Sequence, residues 1–141
     1  LHFVGIGRIG DRKGRTEKRF IQDYERKEMK KLYKSKSIFD ILITHDKDDG
    51  SQRGFGSEDI RKLLDQVIFK YHFFGHTGEP FYQELDVNGI TQSVKIKELE
   101  FNESGILEFG CMLILTKEQD IISLEIVPQK ITNKLTQFNW K

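Results

Sequence analysis

The stretches IFDILITH, residues 38–45, and YHFFGH, residues 71–76, decide how this chain is read. Ile38 to Thr44 is a near-continuous apolar run, the kind buried on both faces of a parallel sheet. Tyr71 to Phe74 is a second, aromatic run that ends at Gly75-His76. Between them Ser57, Glu58 and Asp59 open a helix, and Ile60, Leu63, Leu64 and Val67 keep helical spacing. A single helix between two strands is a β-α-β crossover, which makes the strands parallel. His45 and His76, just past the two strand ends, then emerge from the same carboxyl edge of the sheet, where open α/β sheets place ligands. Two imidazoles converging there can share one metal ion. The alternative is a pair of ordinary edge histidines with no joint role.

Working outward, Leu1 to Ile6 reads as a buried strand that runs into a glycine-rich, basic loop through Gly14. A chain that opens on a central strand and on Leu leads to the expectation that sequence upstream is missing. Thr16 is a candidate N-cap for a charged helix over 17–34, with Phe20, Ile21, Tyr24, Met29 and Leu32 on its inner side. Past Pro80 the pattern changes to runs at 81–87, 90–101, 110–116 and 121–127, punctuated by Asn88-Gly89 and Ser104-Gly105. Asn-Gly between strands is a hairpin signal. The expected architecture is α/β, β-α-β-α-β followed by an antiparallel meander, with a short helix or tail over 131–141.

A length of 141 residues suits one domain with one core. Eleven Phe, four Tyr and one Trp supply bulky core material, so a disordered chain is not expected. With 23 basic and 22 acidic side chains the formal charge is +1, which argues against a nucleic-acid or membrane-surface partner. No apolar run reaches the roughly 20 residues that cross a bilayer, and no signal-peptide pattern is present. Cys111, the only cysteine, lies in an apolar run and suits a reducing compartment, so a cytoplasmic location is expected.

Gly5, Gly7 and Gly10 match G-x-G-x-x-G after a strand, which raises a nucleotide-binding module as an alternative. That chemistry needs a helix to start at the glycines so that its amino end meets the pyrophosphate, and Asp11-Arg12-Lys13-Gly14 intervenes. Arg8, Arg12, Lys13 and Arg15 could attract a phosphate group or simply be solvated. Asp46-Lys47-Asp48-Asp49-Gly50 has the look of a calcium loop, but the ligand positions are wrong for an EF-hand. It reads as a hydrophilic rim or as solvent-exposed loop. His72 shares a strand face with Phe74 and His76; it is either a donor that steadies a ligand or a buried polar residue with one hydrogen bond.

Taken together, Leu42-Ile43-Thr44-His45 and Phe73-Phe74-Gly75-His76-Thr77-Gly78-Glu79-Pro80-Phe81 resemble the last two metal-binding blocks of the calcineurin-like metallophosphoesterases. The likeness spans about residues 1–127. It implies the carboxy-terminal half of a four-layer αββα sandwich, the whole of 1–141 being part of one such domain. It further implies hydrolysis of phosphate mono- or diesters by two ions, typically manganese, iron or zinc. By this resemblance His45 and His76 bind the same ion. The family's second histidine falls at Gly78, which offers no side chain; Glu79 is a possible substitute. The family's Asp-x-His, Gly-Asp-x-x-Asp and Gly-Asn-His blocks do not occur in this sequence. The chain alone is therefore expected to be inactive, with an upstream half of the domain or a self-associated copy covering an exposed apolar sheet face. The other possibility is a degenerate or split relative that serves as a scaffold.

Overall fold

The computed structural model describes residues 1–11, 15–35, 37–48, 56–76, 78, 80–136, 138 and 139. The chain divides into two compact units, Leu1–Thr77 with Gln83–Val94, and Gly78–Tyr82 with Lys95–Lys141. In the first unit the order is β1 (Phe3–Ile6), α1 (Asp23–Ser35), β2 (Ile38–Thr44), α2 (Glu58–Gln66) and β3 (Ile68–Phe74). β1 pairs parallel with β2, and β2 pairs parallel with β3. A hairpin, β4 (Tyr82–Leu85) and β5 (Gln92–Lys95), completes a mixed five-stranded sheet in the order β1-β2-β3-β5-β4.

Successive right-handed crossovers in one direction place both helices on the same sheet face, and the Arg26–Asp59 ion pair at 2.9 Å ties α1 to α2 there. Ile6 and Leu42 point into that layer, where they meet Met29, Ile60, Leu63, Leu64 and Phe69 in one buried cluster. Alternation turns Phe3 and Ile43 the other way. They remain 55% and 47% exposed, so the second face is incompletely covered.

α2 begins where the sequence places it: Ser57 is extended and its side chain accepts from the Ile60 N–H. Its C-cap, Val67, is extended as well and leads straight into β3, which makes that strand three residues longer than Tyr71–Phe74. α1 differs from expectation. It starts at Asp23, not residue 17, and Thr16 does not cap it. Phe20 and Ile21 do fill the core, but from a segment that precedes the helix, docked through the Ile21 N–H on the Ile9 carbonyl at 3.0 Å and the Ile9 N–H on the Arg19 carbonyl at 3.1 Å. Glu25 then accepts from the Gln22 N–H at 2.8 Å, the back-reaching half of a capping box.

The single meander expected past Pro80 is split. β4 and β5 join the parallel sheet, whereas β6 (Leu113–Glu118) and β7 (Ile121–Ile126) form a separate antiparallel pair in the second unit. Hairpin signals fix local pairing and carry no information about which sheet receives the hairpin. The run over 90–101 is strand only over Gln92–Lys95. A four-residue helix, α3 (Gln129–Thr132), closes the second unit, starting before residue 131.

Arg61 on α2 gathers three carboxylates. It holds Asp86 through two bonds of 2.7 and 2.9 Å, Asp48 at 2.9 Å and Asp65 at 2.8 Å. Burial opposes ionisation of Asp86, yet Arg61 and the Asn88 N–H outweigh it and draw the carboxyl below its usual range. At Asp48 burial prevails over Arg61 and pushes the carboxyl up. Replacing Arg61 with leucine leaves two largely buried carboxylates without their cation, a loss expected at about 3–5 kcal/mol. Urea denaturation of Arg61→Leu checks this; a loss below about 1 kcal/mol would show the cluster to be effectively solvated.

Candidate metal centre

β2 and β3 keep a constant offset from Ile38↔Ile68 to Ile43↔Phe73, so both strands end level with each other. The ladder continues past them, with the Gly75 N–H on the His45 carbonyl at 3.3 Å, and the His45 N–H bound to Ile6 of β1 at 3.0 Å. His45 is thus pinned by backbone on both sides. The two imidazoles meet at the exposed rim, His45 Nε2 to His76 Nδ1 at 2.6 Å, with ring centroids 4.4 Å apart. His76 reaches this position with φ at 73°. A left-handed backbone at a non-glycine residue costs free energy, and such residues concentrate at functional sites.

Two nitrogens this close share a proton in an N–H···N bond. Metal–nitrogen bonds of about 2.0–2.1 Å at angles of roughly 90–110° require nitrogens about 2.9–3.4 Å apart. The pair therefore needs to open by less than about 1 Å to grip one ion, a rotamer-scale adjustment for two exposed side chains. Among the described residues no group of three or more His, Cys, Asp or Glu stands ready to hold a metal. Gly78 has a left-handed φ of 62° and contributes only backbone, its N–H donating to Glu98 at 3.2 Å. Glu79, the substitute ligand considered from sequence, lies outside the described residues, as does Thr77.

His72 is fully buried. Its Nε2 lies 2.8 Å from Thr44 Oγ1, while the Thr44 hydroxyl donates to the Asp46 carbonyl at 2.5 Å. With the hydroxyl proton so committed, Nε2 must be the donor and Nδ1 carries the lone pair. Among the described residues that Nδ1 has no hydrogen-bond partner. Burial, only partly offset by Asp86 and reinforced by Arg61 and Lys47, drives the imidazole pKa down to about 3.

The calcium-like loop also departs from its sequence reading. Asp46 and Asp48 are neither a rim nor solvent-exposed; they are 3% and 8% exposed. Asp46 accepts from the Gly10 N–H at 3.1 Å and the Lys47 N–H at 3.0 Å. Asp49 and Gly50 fall outside the described residues. Gly10 packs so closely on α2 that a Cβ there would lie 2.7 Å from Ser57 Cα. Close packing thus explains this glycine without a pyrophosphate, and α1 begins only at Asp23. Arg8 pairs with Glu25 at 3.2 Å and Arg15 with Asp11 at 2.8 Å; Arg12 and Lys13 lie outside the described residues. Cys111 donates to the Glu108 carbonyl at 2.8 Å, and burial raises its pKa, so it is no nucleophile. No helix among the described residues is long and apolar enough to cross a membrane.

The buried, neutral His72 makes stability depend on pH. Unfolded, the ring titrates near 6.5; folded, near 3. Between those values the unfolded chain binds the extra proton, so stability is full above pH 6.5 and falls on acidification by up to about 1.4 kcal/mol per pH unit. Denaturation at pH 6.5, 5.5 and 5.0, above the range where carboxylates dominate, should show this slope in the wild type and lose it in His72→Leu.

No protein-family model matches the chain, and a search of curated proteins finds no match.

Proposed function

We propose that this chain forms part of a metal-dependent phosphoric ester hydrolase, a phosphatase or phosphodiesterase, in which His45 and His76 hold one ion of a two-metal site. The observation that carries the reading is the meeting of the two imidazoles, 2.6 Å apart at the carboxyl edge of parallel strands. The β-α-β-α-β order followed by a hairpin on the same sheet is compatible with half of a four-layer αββα sandwich. A bound divalent ion, manganese, iron or zinc, would polarise a phosphoryl oxygen and make hydroxide available near neutral pH. His45 would bind through Nε2 and His76 through Nδ1, each as the neutral imidazole. Binding needs both lone pairs, so the proton between the rings would move to the outer nitrogen of the imidazole that carries it.

Two neutral ligands do not complete such a site. The bridging carboxylate has no counterpart among the motifs of this sequence, so the chain alone is proposed to lack activity. The remaining ligands would come from other polypeptide, an upstream half of the same domain or a self-associated copy. Such a segment would also cover Phe3 and Ile43, which are about half exposed. The reading takes the protein to be cytoplasmic. A second reading, a degenerate or split scaffold without catalysis, is favoured by the lack of a third ligand beside the pair among the described residues.

The test is metal content after dialysis, and aryl phosphate mono- and diester hydrolysis with added manganese. It applies to the protein and to His45→Ala and His76→Ala. Each substitution should lower metal affinity by at least about tenfold. Equal retention in both variants removes the metal site. Gly78→His should tighten retention of the other ion, offset by the left-handed backbone that histidine would adopt there.

A further inference from the structure

The fully buried His72 is not needed as core filler, since a leucine of similar volume would avoid leaving a polar nitrogen without a partner. Among the described residues its one side-chain hydrogen bond goes to Thr44 Oγ1, and the Thr44 hydroxyl continues to the carbonyl of Asp46. These two bonds bracket His45. The Asp46 carboxylate extends the chain by accepting from Gly10 and Lys47, so the turn over 44–46 is fastened from β3 on one side and from the β1 loop on the other.

We propose that His72 is a positioning residue: through Thr44 and the Asp46 carbonyl it locks the turn that aims the His45 ring at His76. The inference rests on the reading of His45 and His76 as ligands of one ion. The donor–acceptor order gives the device its direction. Thr44 has one proton, committed to Asp46 by a 2.5 Å bond, and its lone pair receives the His72 Nε2–H. A neutral ring with a fixed tautomer supplies a donor at that spot, and burial keeps it neutral. Without that donor the Thr44 side chain can turn to another rotamer, the Asp46 carbonyl loses its tether, and the His45 ring samples directions away from His76. Supporting partners of this kind typically change metal affinity by about 10–100-fold.

The test uses zinc as probe and two readouts: Zn²⁺ affinity by chelator competition, and proximity of the His45 and His76 rings in the metal-free protein by NMR. His72→Leu and Thr44→Val should lose at least about tenfold in Zn²⁺ affinity together with the ring contact, while unfolding stays cooperative. His72→Gln, whose Nε2 can replace the lost donor, should behave as the wild type. If His72→Leu keeps both the affinity and the ring contact, His72 only fills space and the proposal is wrong. Should His72→Leu fail to fold, Thr44→Val decides, because unaltered affinity and contact there overturn the relay. A wild type that binds no Zn²⁺ refutes the metal reading instead, and the ring contact in the variants still decides whether His72 positions His45.

Discussion

The parallel ladder between β2 and β3 governs everything at the carboxyl edge. Its offset is the same from Ile38↔Ile68 to Ile43↔Phe73, and the Gly75 N–H extends it to the His45 carbonyl. A slip of one residue would exchange the two faces of one strand. It would carry Leu42 out of the helix-covered core and His72 away from Thr44, and it would leave His45 opposite the wrong residue. Register and site are therefore one constraint. The hydrophobic layer built from Ile6, Leu42, Ile60, Leu63 and Phe69 selects the register, and the register delivers the histidines. The last adjustment is local. His76 adopts a left-handed backbone, which turns the chain at the rim so that its ring faces His45.

Beneath that rim lies an unusual concentration of buried polar groups. Thr44, Asp46, Asp48, His72 and Asp86 are all below 9% exposure, and the Arg61 side chain is 16% exposed. Each costs desolvation, and each except His72 Nδ1 has its partner in the network described above. Polar groups with alternative apolar solutions persist where they fix geometry; a sheet edge whose loops must hold two side chains in register is such a place. Arg61 is the keystone of the outer part, since it pairs with both Asp48 and Asp86. It also binds α2 to the hairpin that follows β3. His72 plays the corresponding part beneath His45.

The sequence made much of this legible, and the failures have physical causes. β2, the capped start of α2, and the two histidines at strand ends follow from apolar runs, a Ser-Glu-Asp start and a single crossover. Helical spacing puts the start of α1 six residues early because Phe20 and Ile21 satisfy it while belonging to a docked turn. Periodicity reports which residues are buried and is silent on the backbone that buries them. The sequence shows β4 and β5 as part of one meander with the later strands, because Asn88-Gly89 specifies a turn and nothing about the neighbour of β5. The buried roles of Asp46 and Asp48 could not be read, since a polar loop after a strand normally faces solvent. Arg61 and Asp86 are 25 residues apart, joined only by the fold. The His72–Thr44 bond spans 28 residues. A same-face argument could suggest it, but the 2.5 Å approach of the Thr44 hydroxyl to the Asp46 carbonyl, which assigns its proton, arises only in the fold.

Charge decides what else the rim requires. Two imidazoles bring lone pairs and no negative charge, and at an exposed position water competes for any divalent ion they hold. Hard cations with phosphate chemistry are held chiefly by carboxylate oxygens, which cancel charge as well as coordinate. The buried carboxylate next in sequence, Asp46, already accepts from the Gly10 and Lys47 N–H groups. Recruiting it would release the loop it secures and would break the turn that aims His45. Asp48 is likewise committed to Arg61. The carboxylates that would complete a two-ion site must then approach from outside this network, on the open side of the rim. There the imidazole pair is exposed, and the neighbouring sheet face leaves Ile43 and Phe3 half uncovered. A polypeptide segment that covers this apolar face and presents acidic side chains at its upper margin would satisfy the hydrophobic and the electrostatic deficits together. The same edge of the sheet poses both.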